Sequence, residues 1–349
     1  MQVNTSSQVR TPNPNITWEV ANQSNIGFDA QMLDNKLSVS ADYFYNIRSN
    51  ILWWKNASVP GSAGLSLPQQ NFAKVANKGY EFQVGYQDET AGGFLYAVSV
   101  NGSYAKNKIL NWDEPSDVPD YKKTTGHPMG AHLYYEAIGI FRDQSAVDKY
   151  PHWDGAAPGD IIFKDVNEDG KIDGLDLVRN DRTDIPTFTG GFSLSLSYKN
   201  FDVSALVQGA AGADRAYTEF SGEAGNFRMD NVVGRWTPDN IDAKKPRAWN
   251  RTSQYWMADG WPNNTYWVRN SNYMRLKNLE IGYSLPQTFL KKFGLEAFRV
   301  YASGLNLLTL TGLKDFDPES PNTAPGSIWV NSQVYPLNKT LSFGLTVTF

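Results

Sequence analysis

Along most of this chain apolar residues recur at every second position, and the connections between such stretches alternate strictly between short and long. Ile26, Phe28, Ala30 and Met32 alternate with Gly27, Asp29 and Gln31, and Leu37 to Tyr45 repeat the pattern. Further rows are Tyr80 to Tyr86, Phe94 to Val100, Phe192 to Tyr198, Phe201 to Val207 and Leu279 to Leu285. The segment 298–309 alternates imperfectly, and Leu341, Phe343, Leu345, Val347 and Phe349 close the chain. A period of two gives a strand one apolar and one polar face, so the sequence predicts about nine strands. The chain is 13% aromatic with 29 glycines, and amphipathic helical stretches are scarce, which supports an all-β fold.

The connections 33–36, 87–93, 199–200 and 286–297 are short, whereas 46–79, 101–191, 208–273 and 310–338 are long. In an antiparallel meander this places every short turn at one end and every long loop at the other. A soluble sandwich has no reason to segregate loop lengths, but a membrane barrel does. The polar rows of Ser, Thr, Gly, Asn, Gln and Asp suit a wet lumen, and the apolar rows, rich in Tyr and Phe, suit lipid. The expected fold is therefore a transmembrane antiparallel up-and-down β-barrel portion with long extracellular loops and short periplasmic turns. The rival reading is a secreted, calcium-stabilised β-sandwich that binds carbohydrate. Net charge is -4, which gives no basis for a nucleic-acid partner. The absence of cysteine rules out disulfides and thiolate metal sites.

Several stretches resemble the SusC/RagA family of TonB-dependent outer-membrane transporters. They are NPNITWEVANQSNIGFDAQMLDNKLSVSADYFYN, GDIIFKDVNEDGKIDGLDLVRN with the following PTFTGGFSLSLSYKNFDVSALVQGAAG, WVRNSNYMRLKNLEIGYSLP with LKKFGLEAFRVYASGLNLLTLT, and the closing YPLNKTLSFGLTVTF. The resemblance runs from about residue 13 to 349, in family order. It implies the last nine or so strands of a barrel of roughly 22, with residues 101–191 forming a long extracellular loop region. Signal peptide, TonB-contacting segment and plug domain are expected in such a protein and are not recognisable here. The resemblance further implies import of glycans or peptides by energised plug gating, with no covalent chemistry. It implies a SusD-like lipoprotein lid, the TonB complex and outer-membrane lipid as partners, and a place in the bacterial outer membrane. A terminal aromatic on an amphipathic strand is the assembly signal of that class, here Phe349 with Val347, Leu345, Phe343 and Leu341.

Residues 165–176, DVNEDGKIDGLD, have the oxygen-ligand spacing of an EF-hand loop. Ligands would be Asp165, Asn167, Asp169, the carbonyl of Lys171, Asp173 directly or through water, and Asp176. Asp176 stands where a bidentate Glu is usual, which implies weaker coordination by its shorter side chain. Strand-like sequence flanks the loop on both sides, so the expectation is a structural Ca2+ clip and not a sensor that moves helices. The alternative is a metal-free Asx/Gly turn. Trp53, Trp54, Trp112, Trp153, Trp236, Trp256, Trp261 and Trp267 fall in or beside the long connections. Such rings can stack on sugars, form an interfacial girdle or pack within folded loops. His127, His132 and His152 lack zinc-helix spacing, and Asp239 and Asp242 read as solvated loop charge. No catalytic constellation is present, and no enzyme is expected.

Overall fold

The computed structural model describes residues 12–55, 57, 67–216, 229–248, 253–257, 263–313, 316–320 and 335–349. Among the described residues fifteen strands follow in order: β1 (Val20–Met32), β2 (Leu37–Trp54), β3 (Gln69–Glu89), β4 (Phe94–Asn111), β5 (His132–Tyr135), β6 (Ala137–Ile140), β7 (Ile161–Phe163) and β8 (Leu177–Asn180). They continue as β9 (Phe188–Tyr198), β10 (Phe201–Ala211), β11 (Asp214–Ala216), β12 (Val268–Asn270), β13 (Tyr273–Ser284), β14 (Ala297–Thr311) and β15 (Thr340–Thr348). Nine of them form one antiparallel sheet in the order β1-β2-β3-β4-β9-β10-β13-β14-β15. Sequence neighbours pair throughout, apart from the short strands inserted in the loops. This is the up-and-down meander that the alternating connections predict.

The strands are longer than their alternation suggests. β2 runs to Trp54 and β3 starts at Gln69, so most of the expected connection 46–79 is sheet. Irregularities between Arg48 and Ile51 and between Lys74 and Val75 shift the register there. A bulge breaks the period-two phase, so the extension is not readable as one strand. The uneven pattern of 298–309 has the same cause. Asn278 pairs with Leu305 and Leu276 with Leu308, leaving Asn306 in the left-handed region at φ 54°. The turn after β13 contains a helical turn, Gln287–Leu290, and ends on Gly294 at φ 67°.

The apolar face of the sheet is bare. Phe343 is 83% exposed and Phe349 85%, and Leu345, Ile281, Phe201, Phe28 and Ile26 are also exposed. Among the described residues no second sheet covers this face; the other sheets have only two short strands each. A sandwich would bury it, so the bare face disfavours the sandwich reading. Rings cluster at two levels on this face. Tyr86, Phe94, Tyr96 and Tyr198 stand near the short turns, with Phe94 and Tyr96 centroids 5.8 Å apart and Phe94 and Tyr198 6.2 Å apart. Tyr43, Tyr80 and Tyr104, which are register partners, stand toward the long loops, Tyr80 stacking on Tyr104 at 5.4 Å. From Phe94 to Tyr104 is ten positions on β4. At ~3.3 Å each and ~40° tilt this is about 25 Å, the height of a lipid-facing band.

The buried core lies outside that band, in the loops. Tyr135, Ile161, Phe163, Ile172 and Tyr255 cluster with Trp153, Leu177 and Tyr266 around them. Two small hairpin-like pairs, β5 with β8 and β6 with β7, hold the region 112–187 in shape.

Candidate functional site

The concave inner face carries the polar rows. Gln31, Ser38, Gln83, Ser99, Ser195 and Ser204 line one continuous hollow across six strands. Charged side chains on this face divide into a bridged cluster around Arg299 and a pair of carboxylates, Asp42 and Glu81, which are register partners. Arg299 on β14 reaches Asp202 on β10 at 2.5 Å and Glu280 on β13 at 2.7 Å. Glu81 accepts a hydrogen bond from Ser103 Oγ at 3.1 Å. Such a surface suits water and neutral polar solutes, because few of its groups bind strongly.

At the loop end of the wall a chain segment is clamped against the inner face. Arg275 on β13, with its side chain only 3% exposed, lies 2.7 Å from Asp317 and 2.5 Å from Glu319. Lys277 joins Glu319 at 2.8 Å, and Arg215 donates to the Ser320 carbonyl. Burial alone would raise the Asp317 carboxyl. The amides of Glu319 and Leu337 and the Arg275 guanidinium outweigh it and hold the group below its ordinary value. Sequence reading missed this clamp; the cue was a pair of bases at 275 and 277, just ahead of the alternating row from Leu279 to Leu285.

Above the wall, Arg179 on β8 organises residues 122–131. It donates to the carbonyls of Lys123 and Ala131, both at 2.6 Å, and to that of Lys122 at 2.9 Å. Glu114 takes the amides of Thr124 and Thr125 in the same assembly, and these overcome its burial and lower its pKa.

The loop 165–176 joins β7 to β8, so strands flank it as expected. The chain reverses at Glu168 (φ 58°) and Gly170 (φ 81°). Gly170 N–H donates to Asp165 Oδ2 at 2.9 Å, Lys171 N–H to Asp169 Oδ1 at 3.0 Å, and Leu175 N–H to Asp173 Oδ1 at 2.7 Å. Asn167 Nδ2 donates to Asp169 Oδ2 at 3.0 Å. Asp176 is fully buried and both its oxygens are taken: Val166 N–H and Asp173 N–H each donate at 2.7 Å. It caps the turn Gly174–Asp176 reciprocally with Asp173. Among the described residues no three acidic or imidazole groups converge as a metal cage. Asp165 Oδ1 is the exception to this saturation, being buried without a hydrogen-bond partner. Asp165 Oδ1 is therefore the one buried oxygen of the loop open to a cation, whereas Asp169 and Asp173 accept hydrogen bonds within the loop and Asp176 is committed to the backbone.

The tryptophans separate by environment. Trp153 packs edge-on against Tyr135 at 5.1 Å and beside Phe163 at 5.0 Å, and Trp267 is buried. Trp236 covers Gly159 and donates to the Arg142 carbonyl at 3.0 Å. Trp53 pairs with Trp112 at 5.0 Å, and Trp53 and Trp54 are exposed well beyond the tyrosine belt. Trp261 and the side chain of Trp256 lie outside the described residues. The girdle is built from Tyr and Phe. Counting ten positions between aromatic rows on one face would have found it.

His127 lies 2.5 Å from Asp181, and His152 Nδ1 is 2.7 Å from the Tyr150 carbonyl. His132 is half-buried with Nε2 unpartnered. Asp242 pairs with Arg142 at 3.2 Å. At the chain end, Leu341, Phe343, Leu345 and Val347 pair with Gly304, Ala302, Val300 and Phe298 on the lipid-facing side.

The geometry defines the wall of an outer-membrane β-barrel: a bare apolar band between aromatic belts, a polar inner face and folded loops at one end. A sequence model of the family described as "TonB dependent receptor-like, beta-barrel" matches residues 2–307, and the chain belongs to that family. It is accordingly a protein of the outer membrane. Relatives include TonB-dependent receptor P3 of Formosa agariphila, 32% identical over 97% of this chain and 35% of its own length. TonB-dependent receptor P26 of the same organism is 27% identical over 97% of this chain and 36% of its own. The chain thus spans about a third of the length of these relatives. Among solved structures, the RagAB peptide transporter superposes with TM-score 0.70 at 23% identity, covering 97% of this chain and 36% of the other. Its "open-open" state gives 0.71, also at 23% identity. These likenesses support the fold.

Proposed function

We propose that this chain is a wall segment of a SusC/RagA-type TonB-dependent transporter that admits oligosaccharides or peptides. The observation that carries the reading is the inner face, where uncharged polar side chains run across six adjacent strands and Arg299 is bridged to Asp202 and Glu280. In the membrane, the open edges of β1 and β15 must be satisfied by further strands. The full-length protein supplies these together with the plug. Substrate enters from the loop end beneath a SusD-like lid, and TonB draws on the plug to open the lumen. This chain contributes the inner wall, the clamped segment 316–320 and the loop assembly around Arg179. Resemblance to the segments quoted above supports the subfamily and the partners.

A calcium ion seated on Asp165, Asn167, Asp169, the Lys171 carbonyl and Asp173 belongs to the same proposal, supported by the unpartnered Asp165 Oδ1. Asp176 would hold the turn that presents these groups.

The test is deletion of the full-length gene, followed by growth on single glycans and on peptides as sole nutrients. Loss of growth on one class, restored by the intact gene, is expected. Unimpaired growth on every nutrient, with no accumulation difference for labelled oligomers, would overturn the transport reading. Calcium is read separately: titration into the detergent-solubilised protein should raise the protease resistance of loop 165–176, and no change on adding calcium would sink the ion site.

A further inference from the structure

The lipid-facing side carries a charged feature that transport does not use. Tyr43, Tyr80 and Tyr104 mark the outer aromatic belt on β2, β3 and β4. One outward position further toward the loops, the register partners are Tyr45, Lys78 and Lys106. One further again, Lys108 stands opposite Ala76, which pairs with Ile47. Lys78, Lys106 and Lys108 are all exposed. Their outward neighbours on β1 and β2 are Asn22, Ser24, Tyr45 and Ile47, with no carboxylate among them. The nearest acids along these strands, Asp42 and Glu81, sit on the inner face.

Like charges directly opposite in an antiparallel sheet repel. Lys78 and Lys106 are such a pair, and among the described residues no ion pair relieves them. An anion between the two ammonium groups, reached also by Lys108, converts the repulsion into attraction. Depth decides which anion. Two and four positions beyond the tyrosines is about 5–10 Å along the barrel axis, the level of outer-leaflet headgroups. The patch continues the apolar band on the lipid side, so its occupant is a lipid and not a solute of the lumen.

We infer that Lys78, Lys106 and Lys108 form a site for the phosphate of an outer-leaflet glycolipid. The inference depends on the barrel lying in the outer membrane and on no particular cargo. Each lysine near an anionic membrane surface contributes about fivefold in affinity, so loss of all three weakens retention by about 100-fold.

The experiment uses the full-length receptor in nanodiscs carrying lipid A or the same lipid A after phosphatase treatment, with bound lipid read by native mass spectrometry. The wild type is expected to retain the phosphorylated form selectively. A Lys78→Gln, Lys106→Gln, Lys108→Gln triple variant should lose that selectivity. A matching Lys→Arg triple, which keeps the charge, should retain it, as should Lys199→Gln at the opposite end of the barrel. If the Gln triple does not fold by heat-modifiable migration, the single Lys106→Gln variant is read instead and should bind several-fold more weakly. Equal retention of both lipids by the wild type overturns the inference. So does an unchanged Gln variant, or binding confined to an acidic polypeptide added without lipid.

Discussion

At the scale of single residues, the calcium-type loop shows why ligand spacing and hydrogen-bond duty must be read together. Asp165 and Asp176 are both acidic ends of the same motif, yet one keeps a free buried oxygen and the other has none. Asp176→Ala should leave two amides without acceptors and destabilise the loop by about 2–4 kcal/mol. Hydrogen exchange at Val166 and Asp173 measures it, and the loss should persist in chelator. Glu168 occupies a left-handed conformation that costs an L-residue about 1–2 kcal/mol. Glu168→Gly should therefore raise loop stability by roughly 0.5–1 kcal/mol after the entropy cost of glycine, read as slower proteolysis. His132 supplies a pH response. Burial lowers its pKa from the ordinary 6.5; Asp184 opposes this and Arg179 reinforces it. The ring stays neutral when folded but takes a proton near 6.5 when the loop opens. The stability it permits is full above pH ~6.5 and lost as pH falls toward the lower folded value. Loop protection should drop as pH falls below ~6.5, and His132→Asn should remove that component. The readout is the difference between wild type and variant, which cancels the contributions of other groups.

At the scale of elements, β13 joins two roles, because its lower half faces lipid through Ile281 and its upper half anchors the loop segment 316–320 through Arg275 and Lys277. A bulge at Lys277 makes this possible. It pairs Leu276 with Val207 on the outer side while leaving Arg275 opposite Gln208 on the inner side. Arg275→Ala should strand Asp317 and Glu319 without their partner, which for a buried pair costs about 3–5 kcal/mol. The expected outcome is release of the segment, seen as new protease cleavage near Ser320 and higher conductance of the reconstituted full-length protein. Unchanged cleavage and conductance would show that the other contacts suffice. The rows from Tyr80 to Tyr86 and from Phe192 to Tyr198 were legible as strands because each side of the membrane wall demands one polarity. The extensions to Trp54 and from Gln69 were not. Past the belt both faces meet polar surroundings, and bulges break the phase. Strands β5 to β8 were illegible for another reason: each is only three or four residues long and is defined by a partner that lies beyond an irregular loop.

At the scale of the whole molecule, the wall is one sheet between lipid and water, and the two sides should respond oppositely to charge. Val100 lies midway between the aromatic levels on the outer face, with Val84 and Phe192 as register partners. Val100→Lys should cost about 2–4 kcal/mol at the bilayer midplane, whereas Ser99→Lys on the inner face should be tolerated. Heat-modifiable migration of full-length protein from outer-membrane fractions separates the two outcomes. The sequence by itself determined the nine strands of the main sheet, the order of their connections and which face meets lipid, because period-two polarity is imposed residue by residue by the two solvents. It also located the acidic loop, whose spacing is local. The tertiary structure alone decided that Trp153 packs while Trp53 stays exposed, and that Asp176 caps a turn. It alone brought Arg275 to Asp317 and set three lysines just above the tyrosine belt. Those relations join residues far apart in the chain, and register between strands, which no local pattern encodes, brings them together.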